Sequence, residues 1–68
     1  MWSEELQKQT KEHFEDRPII VRMKHFGDSR FGMGGLKDGK YVIIEDNVDE
    51  KYEYNTIEEL INDGWAID

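Results

Sequence analysis

The chain has no cysteine, one proline and two histidines. Without thiols there is no disulfide framework, no thiolate metal site and no thiol catalysis. No apolar run approaches the roughly 18 residues that cross a bilayer; the longest is Tyr41-Val42-Ile43-Ile44. Met1-Trp2-Ser3-Glu4-Glu5 has neither the basic nor the apolar region of a secretory signal. A cytoplasmic protein with no membrane partner is therefore expected. His13 and His25 have no partner at metal-ligand spacing, and H-E-x-x-H is absent. Neither a metal nor a cofactor is expected.

What is present is short and acidic. The 68 residues carry a net charge of -7, which leaves room for a single domain, residues 1–68. A chain of this size buries only about 60% of the surface its unfolded form exposes, so its core is small. The charge is uneven. Residues 1–16 hold five acids and two bases, residues 17–40 six bases and two acids, and residues 41–68 nine acids and one base. Such asymmetry suits a surface with two electrostatic faces, although an acidic surface also simply keeps a small protein dispersed.

The pattern predicts an α+β fold: a small antiparallel meander of three to four strands, flanked by an N-terminal helix and a short C-terminal helix. Ser3 is placed to cap the first helix, with Trp2, Leu6, His13 and Phe14 as a thin apolar stripe, and Arg17-Pro18 should end it. Residues 19–26 read as a strand, and Gly27-Asp28-Ser29 as a turn. Asp38-Gly39 should close a type I′ hairpin between residues 30–36 and 41–45. Residues 51–54 follow as a fourth strand. Thr56 and Glu59 form a capping box for the last helix, and Gly64 suits its left-handed terminus, with Trp65 folding back over Leu60.

A two-residue turn at Asp38-Gly39 pairs Leu36 with Tyr41 and Met33 with Ile44. Paired residues share a face. Taken with a three-residue turn at Gly27–Ser29, this places Ile19, Val21, Met23, Phe31, Met33, Val42 and Ile44 together as the core face. The opposite face then carries Arg22, Lys24, Phe26, Arg30, Tyr41 and Ile43 around the open strip of Gly32 and Gly34. Cations and aromatics beside a strip without side chains form the expected partner-binding site, although Arg and Lys also belong on any solvated sheet face.

No set of residues converges on catalysis. Gly32-Met33-Gly34-Gly35 lacks the sixth-position glycine and the following helix of a dinucleotide loop. His25, Asp28 and Ser29 hold triad residue types, but crowded into one turn. The acids from Glu45 to Glu50 lack EF-hand spacing. The expected function is thus a non-enzymatic interaction or regulatory protein that binds a protein partner through Arg22, Lys24, Phe26, Arg30 and Tyr41. Two alternatives stand beside it. The same face could bind single-stranded nucleic acid or RNA, with Phe26 and Tyr41 stacking on bases, against the opposition of the net charge. Or residues 45–63 could mimic nucleic acid and occupy a nucleic-acid-binding protein.

Overall fold

The computed structural model describes residues 2–16, 20–48 and 50–68. Its elements are α1 (Glu4–Asp16), β1 (Val21–His25), β2 (Phe31–Lys37), β3 (Lys40–Glu45), β4 (Lys51–Tyr54), α2 (Ile57–Asn62) and β5 (Trp65–Ile67). The strands form one antiparallel sheet in the order β4-β3-β2-β1-β5. The fold is α+β, as the pattern predicts. The meander gains a further strand after α2, because β5 returns to pair with β1.

Local chemistry accounts for most boundaries. The Leu6 N–H donates to Ser3 Oγ at 3.2 Å and starts α1; the Arg17-Pro18 stop and Ile19 lie outside the described residues. At α2, Thr56 Oγ1 accepts from the Glu59 N–H while Glu59 Oε2 accepts from the Thr56 N–H, completing the capping box. Gly64 follows with φ +108, and its N–H donates to Ile61 O at 2.9 Å. Asp38 and Gly39 hold φ 53 and 79, both positive as a type I′ turn demands. The hairpin register follows: Lys37 opposes Lys40, Leu36 opposes Tyr41, and Met33 opposes Ile44.

The β1–β2 connection differs from expectation, and the difference inverts the sheet. The His25 N–H donates to Arg30 O at 3.0 Å, so the loop contains Phe26, Gly27, Asp28 and Ser29 rather than three residues. Gly27 has φ +86, and Asp28 Oδ1 accepts from the Arg30 N–H at 3.2 Å, which stabilises the longer loop. Met23 consequently pairs with Gly32, and Arg22 with Met33. The slip by one residue moves Arg22 onto the face of Met33 and Ile44.

The core therefore lies on the other face. Met23, Ile43, Leu60 and Trp65 are wholly buried, with Phe14 and Ile61 beside them and Val21, Tyr41, Tyr52, Tyr54, Ile57 and Ile67 around them. The expected core residues Phe31, Met33 and Ile44 are exposed instead. Gly32 and Gly34 belong to the buried side. A Cβ on Gly34 would come within 2.8 Å of Met23 Cγ, and one on Gly32 within 2.6 Å of Ile44 O. The space at Gly34 is filled from within by Met23 and Ile43, and that at Gly32 by the backbone of Ile44 and Glu45.

Helix α1 closes one edge of this sheet. The buried Thr10 hydroxyl donates to Leu6 O at 2.8 Å and accepts from the Ile67 N–H at 3.2 Å. Trp2 Nε1 donates to Gly64 O at 2.7 Å. The outward backbone of β5 thus meets a helix instead of another chain. At its far end α1 sends Phe14 under the sheet, edge-on to Tyr41 with centroids 5.4 Å apart. Among the described residues no helix is long and apolar enough to cross a membrane.

Candidate protein-binding face

Alternation along each strand sorts the proposed site residues, and it separates them. Arg22 and Lys24 of β1 point to the outer face, as expected. Phe26 sits in the β1–β2 loop, 45% exposed, with its ring edge-on to Trp2 at 5.2 Å. Arg30 and Tyr41 are on the inner side.

Arg30 is a structural residue. Its Nε and Nη2 both donate to Glu45 Oε1, at 3.1 and 3.0 Å, and Nη2 also lies 3.0 Å from Tyr52 Oη. The guanidinium stands 5.5 Å from the Tyr52 ring centroid and 5.4 Å from that of Trp65. It covers the Tyr52 and Trp65 rings at the edge of the core. The hydrogen bond from Arg30 holds the Glu45 carboxyl below the usual carboxylate range, and the Tyr52 hydroxyl adds to this. The Tyr52 hydroxyl is in turn raised, chiefly by its bond to Glu45. Tyr41, half-buried, packs on Phe14 and opposes Tyr54 in the sheet. Arg30 and Tyr41 are both half-buried, with the Arg30 guanidinium tied to Glu45 and the Tyr41 ring against Phe14.

The outer face instead presents apolar side chains. Ile20 is 72% exposed, Ile44 56%, Phe31 39% and Met33 36%, and Val42 lies between them on β3. Paired positions place Arg22, Met33, Ile44 and Lys51 in one row across four strands. Phe31, Met33, Val42 and Ile44 form an alternating set in the sequence, which the expected register assigns to the core. The signal against that reading is β4, where Lys51 and Glu53 alternate with Tyr52 and Tyr54. Charges on one side and tyrosines on the other show which side is wet.

Ion pairs surround this apolar centre. Arg22 Nη2 meets Asp46 Oδ2 at 2.5 Å, and its guanidinium stands 5.8 Å from the Phe31 ring centroid. The bond to Asp46 raises the Arg22 pKa further. Lys24 lies over the Trp2 ring at 4.9 Å and 4.0 Å from Asp68. Lys51 pairs with Glu53 at 3.2 Å. Between Ile20, Met33, Val42, Ile44 and Lys37, above Gly35, the face sinks into a recess of about 290 Å³.

This arrangement can bury apolar surface and orient charge. His25 is engaged on both ring nitrogens, Nδ1 at 3.2 Å from Asp28 Oδ1 and Nε2 at 2.6 Å from Asp63 O. Among the described residues no three His, Cys, Asp or Glu side chains gather at metal-binding distance. Comparison with protein-family models, with curated proteins and with solved structures finds no match to this chain.

Proposed function

We propose that the protein is a non-enzymatic binding module that engages a protein partner through the outer face of its sheet, in the cytoplasm. One observation carries the reading. Ile20, just before β1, Phe31 and Met33 of β2, and Ile44 of β3 remain in water together while the opposite face forms the core. Contiguous exposed apolar surface rimmed by charge marks interaction sites, whereas scattered apolar residues do not. Arg22 supplies a hot-spot residue type held in place by Asp46 and Phe31. Of the residues expected at the site, Arg22, Lys24 and Phe26 stay with this reading. Arg30 and Tyr41 leave it.

The nucleic-acid alternative is weaker on this face. Arg22 and Lys24 already face Asp46 and Asp68, so less positive charge is open to phosphates. The test is an Ile44→Asp variant. Ile44 is 56% exposed, so the melting temperature should hardly move. Proteins cross-linked to the wild type in its host should be lost from the variant. Equal recovery by both proteins would refute the reading. Recovery lost instead in a Glu58→Gln, Asp63→Asn variant would place function on the acidic side, as the mimic alternative requires.

A further inference from the structure

The recess above Gly35 has a chemistry of its own. Its walls are Ile20, Met33, Val42 and Ile44, and its floor is open because residue 35 has no side chain. Gly35 shows no positive φ, and among the described residues a Cβ there would meet only Ile20, at 3.5 Å, an ordinary contact. Neither backbone conformation nor crowding therefore demands glycine at this position, in contrast with Gly32 and Gly34. A recess of this size and lining takes one large apolar side chain.

Its rim is cationic. Lys37 lines the recess, and Lys40 stands directly opposite Lys37 in the ladder, on the same face. Like charges placed directly across a strand pair destabilise it. The other cations of this face, Arg22, Lys24 and Lys51, each have an acid within 4.0 Å. Lys37 and Lys40 have none within that distance among the described residues, although Asp38 lies in the turn between them. Among the described residues the charge left unbalanced at the rim is positive, in a chain whose net charge is -7.

We infer that the recess above Gly35 receives one bulky apolar side chain from a partner protein segment that carries acidic residues beside it, held by Lys37 and Lys40. The inference rests on the reading of the outer face as a docking surface and gives its partner a chemistry. An apolar anchor supplies the buried contact, and the flanking carboxylates remove the lysine–lysine repulsion.

The probe is a capped synthetic peptide with one tryptophan between two pairs of aspartates, titrated into the ¹⁵N-labelled protein. Amide shifts should move at Gly35, Lys37 and Val42 and weaken as salt rises. Replacing the tryptophan by alanine, or the aspartates by asparagines, should lower affinity at least about tenfold, as for loss of a single anchor or charge contact. On the protein side, Gly35→Val fills the floor with a residue that suits a strand. It should keep the melting temperature and lose the peptide. A Lys37→Glu, Lys40→Glu variant should lose it as well. Binding unchanged by Gly35→Val, or equal binding of the asparagine peptide, overturns the inference. So do shifts of the same amides that grow with protein concentration alone, which assign the face to a second copy. Equal shifts with a short single-stranded oligonucleotide assign it to nucleic acid. If the tryptophan–aspartate peptide fails while Ile44→Asp still loses the cellular partner, the outer-face reading survives and this inference falls.

Discussion

Arg30, Glu45 and Tyr52 show how a single cation holds a small core shut. Two of the guanidinium's donors converge on one carboxylate oxygen, which also accepts from the Tyr52 hydroxyl. Charge-assisted bonds of this kind are stronger than neutral ones, and the Arg30 stem and plane cover Trp65 and Tyr52. Because the Arg30 side chain is 34% exposed, solvent screening discounts the ionic part. Arg30→Ala should still destabilise by about 1 kcal/mol, since packing is lost with charge. The pH dependence has a defined sign. The folded Glu45 carboxyl titrates below its unfolded counterpart, so its contribution is full above about pH 4.3 and is lost as pH falls through the lower folded value. Glu45→Gln should therefore melt below the wild type at pH 7, and the gap should close as the pH drops under about 4. Thermal melts at several pH values measure it; a gap independent of pH would mean that the charge of Glu45 is irrelevant. Tyr52 and Tyr54 are raised in the folded state, Tyr52 mainly by Glu45 and Tyr54 mainly by burial. Their contributions hold below about pH 10 and fade only above it.

At the scale of elements, the turn between α2 and β5 is the most constrained. Gly64 has φ +108, beyond the left-handed basin that other residues enter. A Cβ there would also strike His25 Nε2 at 2.7 Å, and His25 is tied on both sides by Asp28 and Asp63. Gly64→Ala should destabilise by about 2 kcal/mol or more, from backbone strain and overpacking together. Thr56→Ala, which removes only the cap of α2, should cost about 1 kcal/mol. Denaturant titration of the two variants checks the order, and equal losses would mean that the His25 clash is relieved. These elements were legible because their chemistry is local: Thr56 to Glu59, Asp38-Gly39 and Gly64 each specify backbone angles within a few residues. The buried face was not. Both sides of the β2–β3 hairpin carry apolar residues, so its register alone leaves the choice between Met33, Val42, Ile44 and Tyr41, Ile43 open. The choice rests on whether Phe26 belongs to β1 or to the loop, and on how Asp28 bonds to Arg30 and His25. Strand β5, only three residues long, had no pattern to declare it. The expected site inherited the same inversion, which is why Arg22 and Lys24 stayed outside and Arg30 and Tyr41 did not.

On the scale of the whole molecule, the two sides of the sheet divide the work. One side holds the core under α2 and Arg30, and the other leaves Ile20, Phe31, Met33 and Ile44 exposed. The two edges differ as well. Strand β4 ends the sheet on one side with alternating Lys51 and Glu53, charges that discourage pairing with another chain. Strand β5 ends it on the other and is covered by α1. That cover joins parts of the chain that are remote from each other. The bond from Ile67 to Thr10 spans 57 residues, and that from Trp2 to Gly64 spans 62. Contacts so distant in sequence order the chain at a high entropic cost before they stabilise it. The hairpin around Asp38-Gly39 pairs near neighbours and can form first. Strand β1 has one partner until β5 arrives, and α1 has no edge to cover until β5 has paired. The expected order of assembly is therefore hairpin, then β1 and β5, then α1. Thr10→Val removes the hydroxyl that meets Ile67 while keeping shape, and it should raise the unfolding rate and leave the folding rate nearly unchanged. Stopped-flow traces that show slower folding instead would place α1 at the start of the sequence of events. On that order α1 is a latch, expected to be the last piece to close and the first to open under stress.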